Sequence, residues 1–156
     1  MKIKELSKKE VKDILRKICE EYDIDYSKLD FLIKDFVWFV NKDGKLFILH
    51  KEARSLIYES FVQRLGLYIA KVEKDGIRLS IEGSHLFGPF ARKKIIELDI
   101  IKWMLGEDIK TDVEYGQGFY IVKSGKYFLG STKIKNSIAK NFVPKNRRLP
   151  MKFNVK

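Results

Sequence analysis

Between Ser131 and Lys156 the chain carries Lys133, Lys135, Lys140, Lys145, Arg147, Arg148, Lys152 and Lys156, and neither Asp nor Glu. Side chains of these types do one chemistry well. An ammonium neutralises phosphate as a point charge, and a guanidinium grips two phosphate oxygens at once. Arg147 and Arg148 follow Pro144 and Lys145 as a phosphate clamp would; the plain alternative is a solvated basic tail. Arg92-Lys93-Lys94 offers a second phosphate contact, or charges matched to the negative end of a helix dipole. A field of this sign selects polyphosphates, with RNA as the first candidate.

Other chemistries find little support. His50 and His85 lack the Glu-x-x-His or cysteine-rich company of a metal centre or general base, so packing or a hydrogen bond is expected of each. Glu20-Glu21 and Glu107-Asp108 are adjacent residues, which do not face one another on a helix. Ser124-Gly125 reads as a hairpin turn rather than a nucleophile elbow, and no Gly-x-Gly-x-x-Gly occurs. The lone Cys19 builds neither a disulfide nor a cysteine zinc site within one chain. No catalytic residue, cofactor or metal is therefore expected. Tyr115, Tyr120 and Tyr127 would stack unpaired bases if exposed, while Phe119, Ile121, Tyr127 and Leu129 are expected partly in the core. Gly106 and Gly130 would let backbone approach RNA closely, or serve as a helix cap and a bulge, the reading favoured here.

These groups need a scaffold, and the composition supplies one. The 156 residues are 45% hydrophobic and 13% aromatic, enough for a core and for one or two small domains. A net charge of +11 with pI ≈ 9.6 promotes association with any polyanion, so charge alone proves no nucleic-acid role. Cysteine usage suggests a reducing, cytoplasmic compartment. No apolar run reaches the roughly 18–20 residues of a membrane span, and the Lys/Glu-rich start has no apolar signal core.

Ser7 and Glu10 form a capping box before Val11, Ile14, Leu15 and Ile18, predicting a helix over 8–22. Residues 36–40 and 46–49 are aromatic and β-branched runs joined through Asn41-Lys-Asp-Gly44, a hairpin. A short helix is expected over 52–61, with Ala53, Leu56, Ile57 and Phe61 inward. A second hairpin joins 65–72 to 77–81 through Asp75-Gly76. Residues 84–94 predict a helix broken at Gly88-Pro89, and 95–98 a brief strand. A helical turn and a half after Asp99 ends at Gly106, followed by short strands near 109, 119–123, 127–133 and 139–143. A soft boundary falls at 95–99.

This order, with Arg78-Leu-Ser-Ile81, Phe87-Gly-Pro89-Phe-Ala91-Arg-Lys-Lys94 and Met104-Leu105-Gly106, resembles the Nip-seven ribosome-biogenesis family, PUA-domain proteins with a pre-PUA domain. The C-terminal strands, Gly118-Phe-Tyr-Ile-Val, Leu129-Gly130, Lys133 and Asn141-Phe-Val-Pro144-Lys145-Asn-Arg147-Arg148, are similar to the PUA-like tail of the Sun/Fmu RNA cytosine methyltransferases. The resemblance implies an α+β protein, with a pre-PUA α/β domain over 1–95 packed on a PUA-like small β-barrel over 96–156. It implies a non-catalytic RNA-binding role in ribosome assembly or RNA modification. The expected partner is rRNA precursor or tRNA, with an RNA methyltransferase or assembly factor as a further partner and no membrane.

The expected RNA-binding residues are Arg92, Lys93, Lys94, Lys133, Lys135, Lys140, Lys145, Arg147 and Arg148. The rival is an adaptor subunit docking through an exposed Phe36, Trp38 and Phe39 patch. A small RNA-modifying enzyme is the remaining class.

Overall fold

A computed structural model of the chain describes residues 3–56, 62 and 65–151. They form a mixed helix and sheet structure with a five-stranded antiparallel sheet and two three-stranded sheets. Helix α1, Lys8–Tyr22, starts at the expected capping box: Glu10 N–H donates to Ser7 Oγ at 3.2 Å and Ser7 N–H to Glu10 Oε1 at 3.0 Å. Val11, Leu15, Ile18 and Tyr22 lie on one stripe and are buried against the sheet. The Tyr22 hydroxyl donates to the Ile77 carbonyl at 2.8 Å, satisfying its polar end inside the core.

The large sheet runs β1 (Ile3–Glu5), β2 (Phe36–Asn41), β3 (Lys45–His50), β4 (Leu67–Glu73) and β5 (Gly76–Leu79), each strand beside the next. Gly44, at φ +85°, makes the first hairpin's turn, and Asn41 Oδ1 accepts from the Asp43 and Lys45 amides. One sheet face packs Trp38, Leu46, Ile48, Ile69 and Leu79 under α1; the other packs Val37, Phe39, Phe47 and Leu49 with Val62. The aromatic run of β2 is thus core on both sides. Trp38 and Phe39 are 1% and 2% exposed, and Phe36 packs edge-on against His50. The exposed patch required of an adaptor is not formed.

Several local expectations shift. Strand β1, the 3₁₀ turn Tyr26–Leu29 and helix α2 (Asp30–Lys34) were not foreseen; each is too short to show a period. Lys51–Leu56 is a 3₁₀ turn, and the rest of the helix expected over 52–61 lies outside the described residues. Ile81 does not end a strand: Ser80 Oγ accepts from Gly83 N–H at 2.9 Å and opens helix α3, Ile81–Phe87. The helix expected over 84–94 stops before Pro89, leaving one 3₁₀ turn, Gly88–Phe90. Arg92-Lys93-Lys94 consequently occupies a loop, which meets the negative, C-terminal end of α1, the Arg92 and Lys93 amides donating to Tyr22 O.

Beyond that loop, β6 (Ile95–Glu97) pairs in parallel with β8 (Tyr120–Ser124), which pairs antiparallel with β9 (Tyr127–Thr132). Strands β10 (Ile134–Lys135), β11 (Ile138–Ala139) and β7 (Ile109–Lys110) form the other small sheet. Both sheets enclose one apolar cluster around Trp103, which includes Ile96, Val122, Leu129, Ile134 and Ala139. Trp103 belongs to α4 (Ile100–Met104), and its Nε1–H donates to the Leu129 carbonyl at 2.9 Å. Gly106, at φ +90°, donates to Trp103 O, and Glu107 N–H donates to Lys102 O, which is the expected glycine C-cap.

The sheets are joined by buried polar contacts as well as by packing. Ser84 Oγ accepts from Gly130 N–H at 2.9 Å, Ser131 Oγ donates to Leu79 O at 2.8 Å, and Ile121 enters the core beneath α1. No helix among the described residues is long and apolar enough to cross a membrane.

Candidate nucleic-acid interface

The cross-strand register of the large sheet builds the site's first part. Lys45 on β3 sits opposite Lys71 on β4, and Lys71 sits opposite Arg78 on β5. Directly opposed side chains share a face with Cβ atoms about 4.5–5.5 Å apart, and like charges in that relation destabilise a sheet. Arg78 is offset by Glu73, Nε to Oε2 at 3.0 Å, whereas Lys45 and Lys71 form no ion pair among the described residues. A fold that retains this row holds a strip of positive potential ready for an anion.

Aromatic rings extend the strip. Lys45 Nζ lies 5.3 Å from the Tyr68 ring centroid, and the Arg78 guanidinium lies 4.6 Å from that of Phe142. Burial pushes the Tyr68 phenol up, and the neighbouring Arg78 charge opposes that rise. Phe142 packs edge-on against Phe119 at 6.2 Å; Lys140 stands 5.8 Å from Phe142, and Lys133 5.7 Å from Phe119. Lys133 and Lys140 are also joined through their backbones, Lys140 N–H to Lys133 O at 3.0 Å. Lys133 pairs with Asp75, whose carboxyl it holds below the usual range.

Arg147 meets this region from the C-terminal side. It donates to Glu82 Oε2 at 2.9 Å, and with Lys45, Arg78 and Phe142 it lines a cleft of about 400 Å³. Lys145 is in the same 3₁₀ turn, Lys145–Arg147, with no ion pair among the described residues. Arg148 turns back instead: Nε–H donates to Val143 O at 3.0 Å, and a Cβ on Gly106 would overlap its side chain. The two arginines expected to act together therefore divide, Arg147 lining the cleft and Arg148 bracing the turn.

The remaining expected residues sit elsewhere. Arg92 donates to the Asp23 carbonyl and carboxylate, closing the end of α1. Lys94, only 19% exposed, lies 3.5 Å from Glu21 and faces the Tyr120 ring. Lys93 is exposed and unpaired among the described residues. Lys135 stands near the β10–β11 turn, where the Tyr115 hydroxyl donates to Asn136 Oδ1. Tyr115 and Tyr127 are 62% and 55% exposed, so Tyr127 is not core as expected.

The row Lys45, Lys71 and Arg78 escaped sequence reasoning because its members lie far apart along the chain. The available signal was the alternation of β4 and β5, which puts Lys71 and Arg78 on their non-core face. Among the described residues no cluster of His, Cys, Asp or Glu is arranged to hold a metal. His85 Nε2 contacts Phe128 O at 2.9 Å, and His50 Nδ1 accepts from the Glu52 amide. Glu21 accepts from Ile77 N–H and Asp108 from Asn141 N–H, giving those carboxylates structural partners.

Residues 93–149 match the family model described as the methyltransferase RsmF PUA domain, and the resemblance of the C-terminal strands to the Sun/Fmu tail is borne out. The ribosomal RNA small subunit methyltransferase F of Aeromonas salmonicida is 33% identical over 85 residues, 53% of this chain and 18% of that protein. Its namesake in Aeromonas hydrophila is 34% identical over the same shares. The Vibrio cholerae protein of that name is 24% identical over 112 residues, 70% of this chain and 23% of its own length. The chain thus spans roughly a fifth of the curated relatives it matches.

Proposed function

We propose that this chain is a non-catalytic RNA-binding module that holds a structured RNA, rRNA precursor or tRNA, during its modification or during ribosome assembly. The observation that carries the reading is the row Lys45, Lys71 and Arg78, continued through Phe142 and Phe119 to Lys140 and Lys133. Each of these cations stands cross-strand from another member of the strip or close to an aromatic ring, so a backbone running along it meets phosphate partners and stacking surfaces together. Lys145 and Arg147 form its C-terminal edge, and Lys93 and Lys135 are outlying contacts. Arg92, Lys94 and Arg148 act chiefly as braces. The likeness to RNA methyltransferases supports an RNA target and a link to modification. In this reading residues 1–95 are a pre-PUA domain, residues 96–156 the PUA-like domain, and the protein works in the cytoplasm beside a separate methyltransferase or assembly factor.

The test is capture of a native rRNA and tRNA pool across a salt series by the wild type and by a Lys45→Glu, Lys71→Glu, Lys140→Glu variant. Selected RNAs retained with a steep log-log salt slope, and lost by the folded variant, support the module. Equal capture by both proteins contradicts it.

A further inference from the structure

The cleft beneath Arg147 differs from the open strip beside it. It is lined by the largely buried Leu79, Ile81 and Leu129, by Tyr68 and Phe142, whose rings lie beside Lys45 and Arg78, and by Glu82, which Arg147 already engages. A volume of about 400 Å³ is near the small end of ligand clefts, which run from about 300 to 1,000 Å³, so one nucleotide unit fits and a duplex does not. The serine hydroxyls on its wall are already used: Ser80 Oγ donates to Tyr68 O and Ser131 Oγ to Leu79 O, both at 2.8 Å. Asn146, on the exposed rim of the lining, has a carboxamide that makes no hydrogen bond among the described residues. That group offers both donor and acceptor, which is what the edge of a base requires.

Resting on the RNA-binding reading above, we infer that this cleft receives a single unpaired nucleotide of the bound RNA. Its base lies against the apolar wall and Phe142, Asn146 meets the base edge, and the adjoining phosphate lies on Lys45 and Arg78. The strip then supplies sequence-independent attraction, and the cleft selects strands with a base free to leave the stack. A base held on an aromatic face is worth about 1–3 kcal/mol by alanine substitution, roughly 5–150-fold in affinity, so preference for single strands should be large.

The test uses the whole chain and a uridine-rich hexaribonucleotide with one central 2-aminopurine, beside a duplex containing the same strand and free adenosine monophosphate. Asn146→Trp fills the cleft from its exposed rim, and Lys71→Glu alters only the strip; circular dichroism and thermal melting check both folds. The wild type should bind the single strand at least about fivefold tighter than the duplex, with a more than twofold change in 2-aminopurine emission. Asn146→Trp should remove that preference and the emission change while duplex affinity stays within twofold, and Lys71→Glu should weaken both RNAs together. Free monophosphate should compete only at much higher concentration, because it lacks the contacts of a continuous strand.

Tight binding without an emission change, or a folded Asn146→Trp that keeps the single-strand preference, overturns the cleft assignment and leaves the strip standing. Strong competition by the monophosphate makes the cleft a free-nucleotide site and overturns the assignment to RNA. Binding of neither RNA overturns the RNA-binding reading and this inference together. Should Asn146→Trp fail to fold, the wild-type emission change decides the matter alone.

Discussion

Replacing Ser84 by alanine tests whether polar contacts hold the β8–β9 unit against the first core. Ser84 is fully buried; its hydroxyl donates to Ile81 O at 2.6 Å and accepts from Gly130 N–H at 2.9 Å. Gly130 itself sits at φ +92° in the cleft wall. Removing Oγ takes the acceptor from a buried amide, and an unsatisfied buried donor costs about 1–3 kcal/mol. With a urea m-value of about 2 kcal/mol per M for a small protein, the unfolding midpoint should fall by about 0.5–1.5 M at unchanged m. Equilibrium urea denaturation followed by Trp103 and Trp38 fluorescence reads this directly. A midpoint lowered by less than about 0.2 M would show that Gly130 finds another acceptor and that this contact does not secure the wall.

Ser7→Ala removes the α1 cap and should destabilise the protein by about 1 kcal/mol in the same urea assay, with RNA affinity unaffected. Gly106→Val forces a side chain into φ +90° and against Arg148, and should destabilise by about 1–3 kcal/mol. Asp75→Asn frees Lys133 from its carboxylate; RNA should bind more tightly, and the salt slope should steepen by about 0.7 for a single strand. Carboxyl NMR titration should find Asp75 ionising below the ordinary aspartate range, and Lys133→Ala should raise it again. The sign follows: a lowered folded pKa means the pair's stabilisation is present above the unfolded pKa and lost as pH falls through the folded value.

Local chemistry made much of the fold legible. The Ser7–Glu10 box, the Asp-Gly turns and the Gly106 cap sit where turn and capping rules put them, because each is decided by residues a few positions apart. Strand β1 is held by pairing with β2, which three residues cannot advertise. Ser80 was read as strand, although its hydroxyl caps a helix, because Ile77, Leu79 and Ile81 continue an alternation that the backbone abandons at Ser80. Among the basic residues, sequence showed where charge is dense but not which charges are already engaged. Arg92 and Lys94 lie in a dense run and are tied to Asp23 and Glu21, partners separated from them by most of the first sheet. Lys45 and Lys71, isolated in sequence, become neighbours only through strand register.

The most direct measurement is ultraviolet crosslinking of captured native RNA to the intact protein, with adducted residues identified by mass spectrometry. The account predicts adducts within β4 and β5, at Tyr68, Lys71 and Arg78, and around Phe142. Adducts confined to the basic face of α1, at Lys9, Lys12 and Lys17, with those strands clean, would contradict it.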